Sequence, residues 1–414
     1  MMEKFKKDVQ YYKFCAYGFL KSLQFFEIFI ILFLRERGLS FTDIGILYAI
    51  RETCVWLLEI PTGALADIIG RKKTMILSFS AYIISFVIFY LGYHFYILAV
   101  AMVIYAIGDS LRSGTHKAMI FDYLKHENML QFKTQYYGYT RSASKFGSAF
   151  SALFAAFVVF ITSDYGTVFL VTIIPYLLNI LLIISYPKYL DKSSVHEKGF
   201  SLKDYTDTLK PVLKDNRVYA AFGMISVFDG FFKSIKDYIQ PIIKAAAVTL
   251  VISTAFNKNQ NEAVTVGVVY FVLFILTAYS SRMGSTVAQS FKSERFYLFI
   301  TAISGALLAV FTGAALILRM PVVSIIPFIL IYMLQNMRRP SGVSLFADLT
   351  DSSVLATALS ADALVQSISA SVLAIVTGVL ADRWGIGVAI IVLSAIMILF
   401  WSVLNGILIK KESK

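Results

Sequence analysis

Twelve apolar runs, most of them separated by short polar connectors, make up almost the whole of this chain. A helix that crosses a membrane needs about 20 mostly apolar residues, and each run is long enough to do so. The runs predict twelve membrane segments, numbered 1 to 12 along the chain. They cover residues 12–34, 43–63, 74–93, 95–122, 138–161, 167–187, 218–240, 263–286, 296–318, 321–345, 357–381 and 386–409. The pattern therefore predicts an all-α membrane protein.

Two connectors are longer than the others, at residues 188–217 and at about 245–262. The first of them is polar and basic, and it lies between segments 6 and 7. It divides the chain into an N-terminal six-helix bundle of residues 1–187 and a C-terminal six-helix bundle of residues 218–414. We predict that residues 188–217 form a cytoplasmic linker between the two bundles.

Lysine and arginine are unevenly distributed among the connectors. The stretch before segment 1, the connector after segment 2 and the linker are rich in both, whereas the connectors on the opposite side carry few. Positively charged connectors stay on the cytoplasmic side of a membrane. We therefore expect the N-terminus in the cytoplasm and, with an even number of segments, the C-terminus there too. This topology predicts a multi-pass protein of the plasma or inner membrane.

Composition supports a chain embedded in lipid. Of its 414 residues, 58% are hydrophobic and 15% are charged, against about 25% charged residues in soluble domains. The net charge of +12 comes from clusters in short connectors, which suits anionic lipid headgroups better than nucleic acid. Cys15 and Cys54 both lie in apolar segments and suggest neither a disulfide framework nor a metal site. We expect a monomer in the lipid bilayer, without cofactors or nucleic acid.

Sequence motifs of catalysis and of ATP binding do not occur in the chain. A P-loop lysine motif would have indicated ATP-driven transport. The HExxH, CxxC and GxSxG patterns would have indicated a catalytic site. We therefore predict that the protein is not an enzyme.

A conspicuous motif, G-A-L-A-D-I-I-G-R-K, runs from Gly63 to Lys72 after segment 2. Gly63 and Gly70 permit close helix approach and a tight turn, and Asp67 and Arg71 are spaced to form an ion pair at the membrane face. The motif resembles the signature of the major facilitator superfamily, G-x-L-x-D-x-x-G-R-[KR]. It lies between segments 2 and 3, where that family carries it, and the resemblance extends over nearly the whole chain.

The resemblance implies a fold of two pseudo-symmetric six-helix bundles and transport by alternating access. It also implies that segments 1, 4, 7 and 10 line the central path. In the family, the motif Asp and Arg pair with an acidic residue at the cytoplasmic end of helix 4, a place that Asp122 occupies. A copy of the motif, from Gly378 through Asp382 to Gly385, recurs on the outer side between segments 11 and 12.

Ionisable side chains inside the segments are candidate site residues, because each costs several kcal/mol unless it faces a partner or a wet cavity. The candidates for the substrate cavity are Lys21, Gln24, Arg112, His116, Lys117, Arg141, Lys145, Asp229, Lys233, Asn336 and Asp362. The basic residues outnumber nearby acids in the N-terminal bundle. This excess predicts a positive cavity that favours an anionic or polyhydroxylated solute.

Some of these charges have a simpler interpretation. Asp109, Arg112 and His116 are spaced i, i+3 and i+7, which predicts that they share one face of segment 4. Asp109 with Arg112, and Asp229 with Lys233, are also placed to neutralise each other within one helix. His116 is expected to be a hydrogen-bonding cavity residue rather than a proton carrier.

Three carboxyl groups are candidates for proton coupling, namely Glu27, Glu52 and Asp109. A carboxyl group in a low-dielectric site binds protons more readily, so that it loads and releases them in the physiological range. Glu59, just before the signature motif, is expected to brace that motif instead.

Proton-coupled export of a small organic solute is the first function that these residues predict. The alternative is proton-coupled uptake of a sugar-like or anionic metabolite, which the basic residues of segments 4 and 5 favour. A drug antiporter carries an Arg four residues before a Gly in segment 4, but here Gly114 follows Arg112 after one residue. Two functions of another class remain: a lipid flippase and a non-transporting membrane sensor.

Overall fold

All twelve predicted segments are helical in the computed structural model, which describes residues 7–191, 216–250, 252–349 and 355–412. No strand occurs among these residues. The helices are Val9–Lys21 and Ile30–Glu36 in segment 1, Phe41–Ile69 in segment 2, Arg71–Leu91 in segment 3, Phe95–Arg112 and Thr115–His126 in segment 4, Lys133–Thr162 in segment 5, Thr167–Ile184 in segment 6, Asn216–Ile235 and Ile239–Thr249 in segment 7, Lys258–Gln289 in segment 8, Glu294–Ile317 in segment 9, Pro321–Leu349 in segment 10, Leu355–Trp384 in segment 11 and Ile386–Glu412 in segment 12. The all-α prediction with twelve segments is confirmed.

Ten helical stretches of the described chain are long and apolar enough to cross a membrane. These stretches correspond to segments 3 to 12. Segments 1 and 2 do not meet the criterion of length and composition, each for a different reason. Segment 1 is interrupted, and segment 2 carries Asp43, Arg51, Glu52 and Glu59 within one helix. Large apolar side chains such as Leu181 are exposed on the outer faces of the helices, as expected where lipid rather than water is the solvent.

The chain forms two compact units. Unit 1 contains residues 1–33, 54–198 and 266–274, and unit 2 contains the rest. The boundary between units passes through segment 2, whose first part, up to Thr53, belongs to unit 2. Stacked and edge-on aromatic rings fill the interior of unit 1, with Tyr82 5.3 Å from Tyr176 between ring centroids. Unit 2 has its own core around Phe222 and Tyr297.

Segment 1 is not the single helix that the sequence predicts. Its first helix ends at Lys21, its second begins at Ile30, and turns connect them. Ser22 offers the backbone an alternative, because its hydroxyl donates to the Gly18 carbonyl at 2.9 Å and its N–H to the Phe19 carbonyl at 3.0 Å. The prediction of a continuous helix is therefore wrong. The break was not predicted because residues 22–29 contain neither Pro nor Gly, so no local signal marks it.

The interrupted stretch of segment 1 lies inside the protein. Irregular backbone at membrane depth is tolerated only where protein or a wet cavity surrounds it, since lipid cannot satisfy free N–H and C=O groups. The apolar side chains of the stretch are all buried, namely Leu23, Phe25, Phe26, Ile28 and Phe29. Segment 1 therefore presents the polar groups of this stretch to the interior of unit 1 rather than to lipid.

Segment 4 is also broken. Its first helix ends at Arg112 and the second begins at Thr115, with Gly114 at φ +73° between them. Glycine adopts this left-handed conformation without steric cost, whereas most residues do not. The prediction that Asp109, Arg112 and His116 share one face of a continuous helix is therefore wrong, because the break resets the helical phase.

Segment 7 contains a third interruption. A short 3₁₀ turn, Lys236–Tyr238, separates its two helices, and the Tyr332 hydroxyl donates to the Lys236 carbonyl at 2.8 Å. Segment 7 continues to Thr249 and the next helix begins at Lys258, so the long connector predicted at about 245–262 is helical at both ends. The next helix starts early because Asn257 and Gln260 form a reciprocal capping box.

Candidate functional site

Three side chains of segments 3 and 4 form the polar centre of unit 1. The Tyr82 hydroxyl donates to Asp109 Oδ1 at 2.5 Å, and Arg112 Nε donates to the Tyr82 oxygen at 3.0 Å. Arg112 Nη2 lies 3.3 Å from the same Asp109 oxygen. The prediction that Asp109 and Arg112 neutralise each other is confirmed, with Tyr82 as a bridge that the sequence did not indicate.

Lys21 lies at the break in segment 1, within electrostatic range of Arg112, Asp109 and Arg141. In the described part of the chain, no carboxylate or carbonyl accepts a hydrogen bond from its ammonium group. The carboxylate with which Lys21 interacts electrostatically, that of Asp109, is already engaged by Arg112 and Tyr82. Lys21 is therefore a half-buried lysine whose charged neighbours are two arginines and one aspartate.

Gln24 belongs to the interrupted stretch of segment 1. Its Nε2 donates to the Tyr176 hydroxyl on segment 6 at 3.0 Å. This bond fixes an amide and a phenol beside the Tyr82 ring, which packs edge-on against Tyr176. The break in segment 1 thus adds a neutral hydrogen-bonding pair to the charged groups of segments 3 and 4.

His116 packs among aromatic rings in unit 1. It stacks on Tyr17 with ring centroids 3.5 Å apart, and it meets Phe14 edge-on at 5.4 Å. Its Nε2 lies 3.3 Å from the Tyr186 hydroxyl. The His116 ring is thus held between aromatic residues of segments 1 and 6.

The remaining basic candidates of unit 1 occupy different surroundings. Arg141 is exposed but contributes its charge to the field at Lys21, and Lys145 is half-buried one turn further along segment 5. Lys117 is exposed, with its ammonium 5.6 Å from the centroid of the Tyr137 ring. The structure places Lys21, Arg112 and His116 within electrostatic range of one another, whereas Lys117 packs against a ring of segment 5.

A second polar centre lies in unit 2, where segments 7, 10 and 11 meet. Asp229 accepts hydrogen bonds from Gln335 Nε2 at 2.7 Å and from Gln366 Nε2 at 2.9 Å. Asp362 accepts from the Ser226 hydroxyl at 2.5 Å. Both carboxylates thus accept hydrogen bonds from neutral side chains.

Lys233 does not neutralise Asp229, contrary to the pairing that their spacing suggested. Its ammonium lies 2.8 Å from Glu52 Oε2 of segment 2, and Ser367 of segment 11 donates to the same oxygen at 3.4 Å. The prediction of an intrahelical pair is wrong because a carboxylate of another segment is better placed. Three segments therefore converge on one ion pair.

Asn336 and its neighbour Arg338 on segment 10 have structural contacts. Asn336 Nδ2 donates to the Tyr332 carbonyl of its own helix at 2.9 Å. Arg338 is buried, donates to the carbonyls of Leu298 and Met224 at 2.5 and 2.6 Å, and covers the ring of Phe228. Arg338 thus joins segments 7, 9 and 10.

The signature motif forms a one-residue turn rather than a loop. The helix of segment 2 continues to Ile69, and only Gly70, at φ +96°, separates it from the next helix. Arg71 forms an ion pair with Asp122, as the resemblance implied. Gly63 faces open space, so the expected close helix approach does not occur there among the described residues. The side chain of Asp67 lies outside the described part of the structure.

Lys72 connects the motif to the end of segment 6. Its ammonium donates to the carbonyls of Tyr186 and Ile184 at 2.6 and 3.1 Å, and its N–H donates to Asp191 Oδ1 at 2.9 Å. A lysine at the C-terminal end of a helix satisfies free carbonyls and opposes the helix dipole. Asp191 was not predicted as a partner because it lies in the polar connector, without any motif of its own.

The other two carboxylates considered from the sequence lie at helix interruptions. Glu27 is half-buried in the turns of segment 1. Glu59 accepts a hydrogen bond from the Ser113 hydroxyl at 3.4 Å, at the break of segment 4. Tyr82, Tyr176 and Gln335 had no sequence signal, because isolated phenols and amides in apolar runs resemble ordinary core residues.

The model of the Major Facilitator Superfamily matches residues 14–337, well over half of the chain, and the protein belongs to this family. No curated protein matches the chain by sequence. The family and the fold indicate a multi-pass membrane protein that transports small solutes, not an enzyme.

Solved structures with the same fold include transporters of different solutes. The nucleoside transporter NupG is 11% identical, with a TM-score of 0.72 and 96% of each chain covered. A POT family transporter in complex with 5-aminolevulinic acid is 14% identical, with a TM-score of 0.69 and 96% of this chain and 94% of the other covered. A bacterial homolog of the human lysosomal transporter Spinster is 15% identical, with a TM-score of 0.69 and 98% and 99% covered. At these identities the likeness establishes the fold alone.

Proposed function

We propose that this protein takes up a small organic anion together with protons, by alternating access, across the plasma or inner membrane. The observation that carries the proposal is the ammonium group of Lys21 at the break of segment 1, beside Arg112 and Arg141 and without an acceptor among the described residues. We also propose that the protein is a monomer with both termini in the cytoplasm.

The electrostatics of unit 1 support an anionic solute. The charged groups that interact with Lys21 are Arg112, the exposed Arg141 and a single carboxylate, that of Asp109, which leaves a formal excess of two positive charges. A cation removed from water without a counter-charge is expensive, because the low-dielectric interior does not replace its hydration. A carboxylate or phosphate group of a solute supplies that counter-charge. The hydroxyl of Tyr176 and the amide of Gln24 add neutral groups for orientation.

The charge of the solute bears on the direction of transport. Moving one charge through a membrane potential changes its free energy by about 2.3 kcal/mol per 100 mV. With a negative interior, an anion leaves a cell without help, whereas its uptake needs accompanying protons to offset the charge. An anion site combined with proton coupling therefore favours uptake over the export that the sequence first suggested.

Glu52 is the best placed of the three candidate proton carriers. The carboxylate of Asp109 is already engaged by Arg112 and Tyr82, and Glu27 lies in the turns of segment 1. Protonation of Glu52 removes its charge and weakens its ion pair with Lys233. Proton binding would thus change a contact between segments 2 and 7, which is what coupling requires.

Export of a cationic solute is the competing function. A cation would need an unengaged carboxylate in the polar centre of unit 1, but Asp109 already accepts from Arg112 and Tyr82. A lipid flippase or a sensor would also bind ligands. Net accumulation of a soluble anion against its gradient separates a coupled transporter from both.

Transport by purified protein in proteoliposomes tests the proposal. Matched anionic, neutral and cationic solutes are offered with an acidic exterior and a negative interior potential. We expect accumulation of an anion that a protonophore abolishes. Accumulation of cations alone, or anion efflux driven by inward proton movement, would contradict the proposal.

Variants of the basic residues connect the transport to the site. We expect Lys21→Ala to lower apparent affinity for the anion about tenfold or more, as for loss of a charged hydrogen bond. Arg141→Ala should weaken affinity more than Glu59→Gln does. The exposed Lys258→Ala at the start of segment 8 is the matched control, because it removes a lysine outside the site. Equal effects of Lys21→Ala and Lys258→Ala would refute the assignment.

A further inference from the structure

Segments 2 and 11 pack against each other along an antiparallel seam. The contact residues of segment 11 recur every three or four positions, which places them on one helix face. In order along segment 2, the pairs are Phe41 and Thr42 with Asp382, Phe41 with Gly378, Gly45 with Ala374, Ala49 with Ser371, and Glu52 with Ser367. We call these residues the 2–11 seam.

Two glycines allow the helices of the 2–11 seam to approach closely. A Cβ on Gly45 would collide with the carbonyl oxygen of Ala374, and one on Gly378 with the carbonyl oxygen of Phe41. Small residues of this kind let helix backbones meet in membranes, where packing rather than hydrophobicity drives association. The Ser371 hydroxyl also donates to the Ala49 carbonyl at 3.4 Å.

Asp382 caps the helix of segment 2 from another segment. Its Oδ1 accepts from the Phe41 N–H at 2.9 Å, and its Oδ2 accepts from the N–H and hydroxyl of Thr42 at 2.7 and 2.6 Å. The first N–H groups of a helix have no partner within it and carry partial positive charge. A carboxylate at this place satisfies two of them at once, and it ties the end of segment 11 to the start of segment 2.

Asp382 belongs to the copy of the signature motif between segments 11 and 12. Gly378 and Asp382 repeat the spacing of Gly63 and Asp67 in the signature motif. The copy lies on the predicted extracellular side, opposite the signature motif. A contact formed by exposed hydrogen bonds contributes modestly to stability, which suits a connection that opens and closes in every transport cycle.

We propose that Asp382 is a gating residue, which holds the 2–11 seam closed on the extracellular side by capping segment 2. Opening the seam frees the Phe41 and Thr42 N–H groups and allows the start of segment 2 to move away from segment 11. Closure restores the three hydrogen bonds. This role depends on transport by alternating access and is independent of the charge of the solute.

Disulfide cross-linking of the full-length protein in membranes tests the proposal. Thr53 follows the last seam residue of segment 2, and its hydroxyl oxygen lies 3.5 Å from that of Ser371, so Thr53→Cys with Ser371→Cys reports closure. Cys15 and Cys54 are replaced by Ser to remove competing thiols. We expect Asp382→Ala to slow cross-linking about tenfold, as expected for loss of a cap. It should also raise the extracellular labelling of a thiol introduced at Ala374.

Asp164 provides a matched control for a cap that joins no distant segments. It accepts from the N–H groups of Gly166 and Thr167 and from the Thr167 hydroxyl, at 2.9, 3.0 and 2.7 Å. Asp164→Ala removes three hydrogen bonds of the same kind, all within one connector, and should leave the cross-linking rate unchanged. An equal loss of cross-linking in both variants would overturn the proposal, because the effect would then be a general loss of stability.

A milder variant keeps the test decisive when Asp382→Ala fails to insert into the membrane. Thr42→Val removes the hydroxyl donor and keeps both N–H bonds, so cross-linking should slow about threefold. Thr42→Ser retains the hydroxyl and should cross-link at the original rate. Undiminished cross-linking in Thr42→Val, or in an inserted Asp382→Ala, would show that the cap does not hold the seam closed.

Discussion

Glu52 of segment 2 and Lys233 of segment 7 form an ion pair, with 2.8 Å between the carboxylate oxygen and the ammonium nitrogen. Lys233 lies one helical turn from Asp229 but is paired with a residue 181 positions away in the sequence. Asp229 is instead solvated by Gln335 and Gln366. The choice of partner matters for function, because a pair between segments responds to their movement whereas a pair within one helix does not.

A charge exchange tests the ion pair. Glu52→Gln and Lys233→Gln each leave one partner without its counter-charge and should reduce the transport rate about tenfold or more. The double variant Glu52→Lys with Lys233→Glu restores opposite charges and should recover part of the rate. Initial rates in proteoliposomes at equal protein density measure this. No recovery, with normal membrane insertion, would indicate that Glu52 acts alone.

Arg338 should be important for stability rather than for solute binding. It is 3% exposed and bonds to Leu298, Thr301 and Met224. Arg338→Met should lower the free energy of unfolding by about 3 kcal/mol, because its hydrogen bonds join three segments. Arg339→Met, at the exposed neighbouring position, should have little effect. Thermal unfolding in detergent compares the two, and equal melting temperatures would contradict this role.

Gly114 should be required for the break in segment 4. Its φ of +73° costs about 1–2 kcal/mol for a residue with a Cβ. No described atom obstructs a Cβ there, so Gly114→Ala tests backbone conformation alone. We expect lower thermal stability together with impaired transport, since His116 follows the break. Gly138→Ala is the control, because Gly138 is also unobstructed but lies within an ordinary helix; similar behaviour of both variants would argue against the break.

The contacts of the signature motif predict separable effects of two carboxylates. Asp122→Asn weakens the ion pair with Arg71 and should impair transport while the protein remains folded. Asp191→Asn weakens the anchor of Lys72 and Gly70 to the end of segment 6, and should mainly lower thermal stability. Transport and melting temperature measured on the same preparations test this. Normal transport by Asp122→Asn would refute the proposed latch.

The sequence alone was sufficient to predict the membrane segments and the family. Both are encoded locally: a membrane span needs a run of apolar residues of a given length, and the signature from Gly63 to Lys72 is contiguous. The pairs Asp109 with Arg112 and Arg71 with Asp122 were also predictable, the first from helical spacing and the second from the family resemblance. The break at Gly114 had a visible signal, since glycine permits a left-handed turn.

Only the tertiary structure decided the partners of the interior polar groups. Lys233 is paired with Glu52, Asp382 caps segment 2, and Lys21 has no acceptor among the described residues, because each depends on groups distant in sequence. The break in segment 1 was equally hidden, since its eight residues contain neither Pro nor Gly. Hydrophobic burial is non-directional and can be inferred from composition, whereas hydrogen bonds and ion pairs require a particular geometry that exists only after the segments have packed.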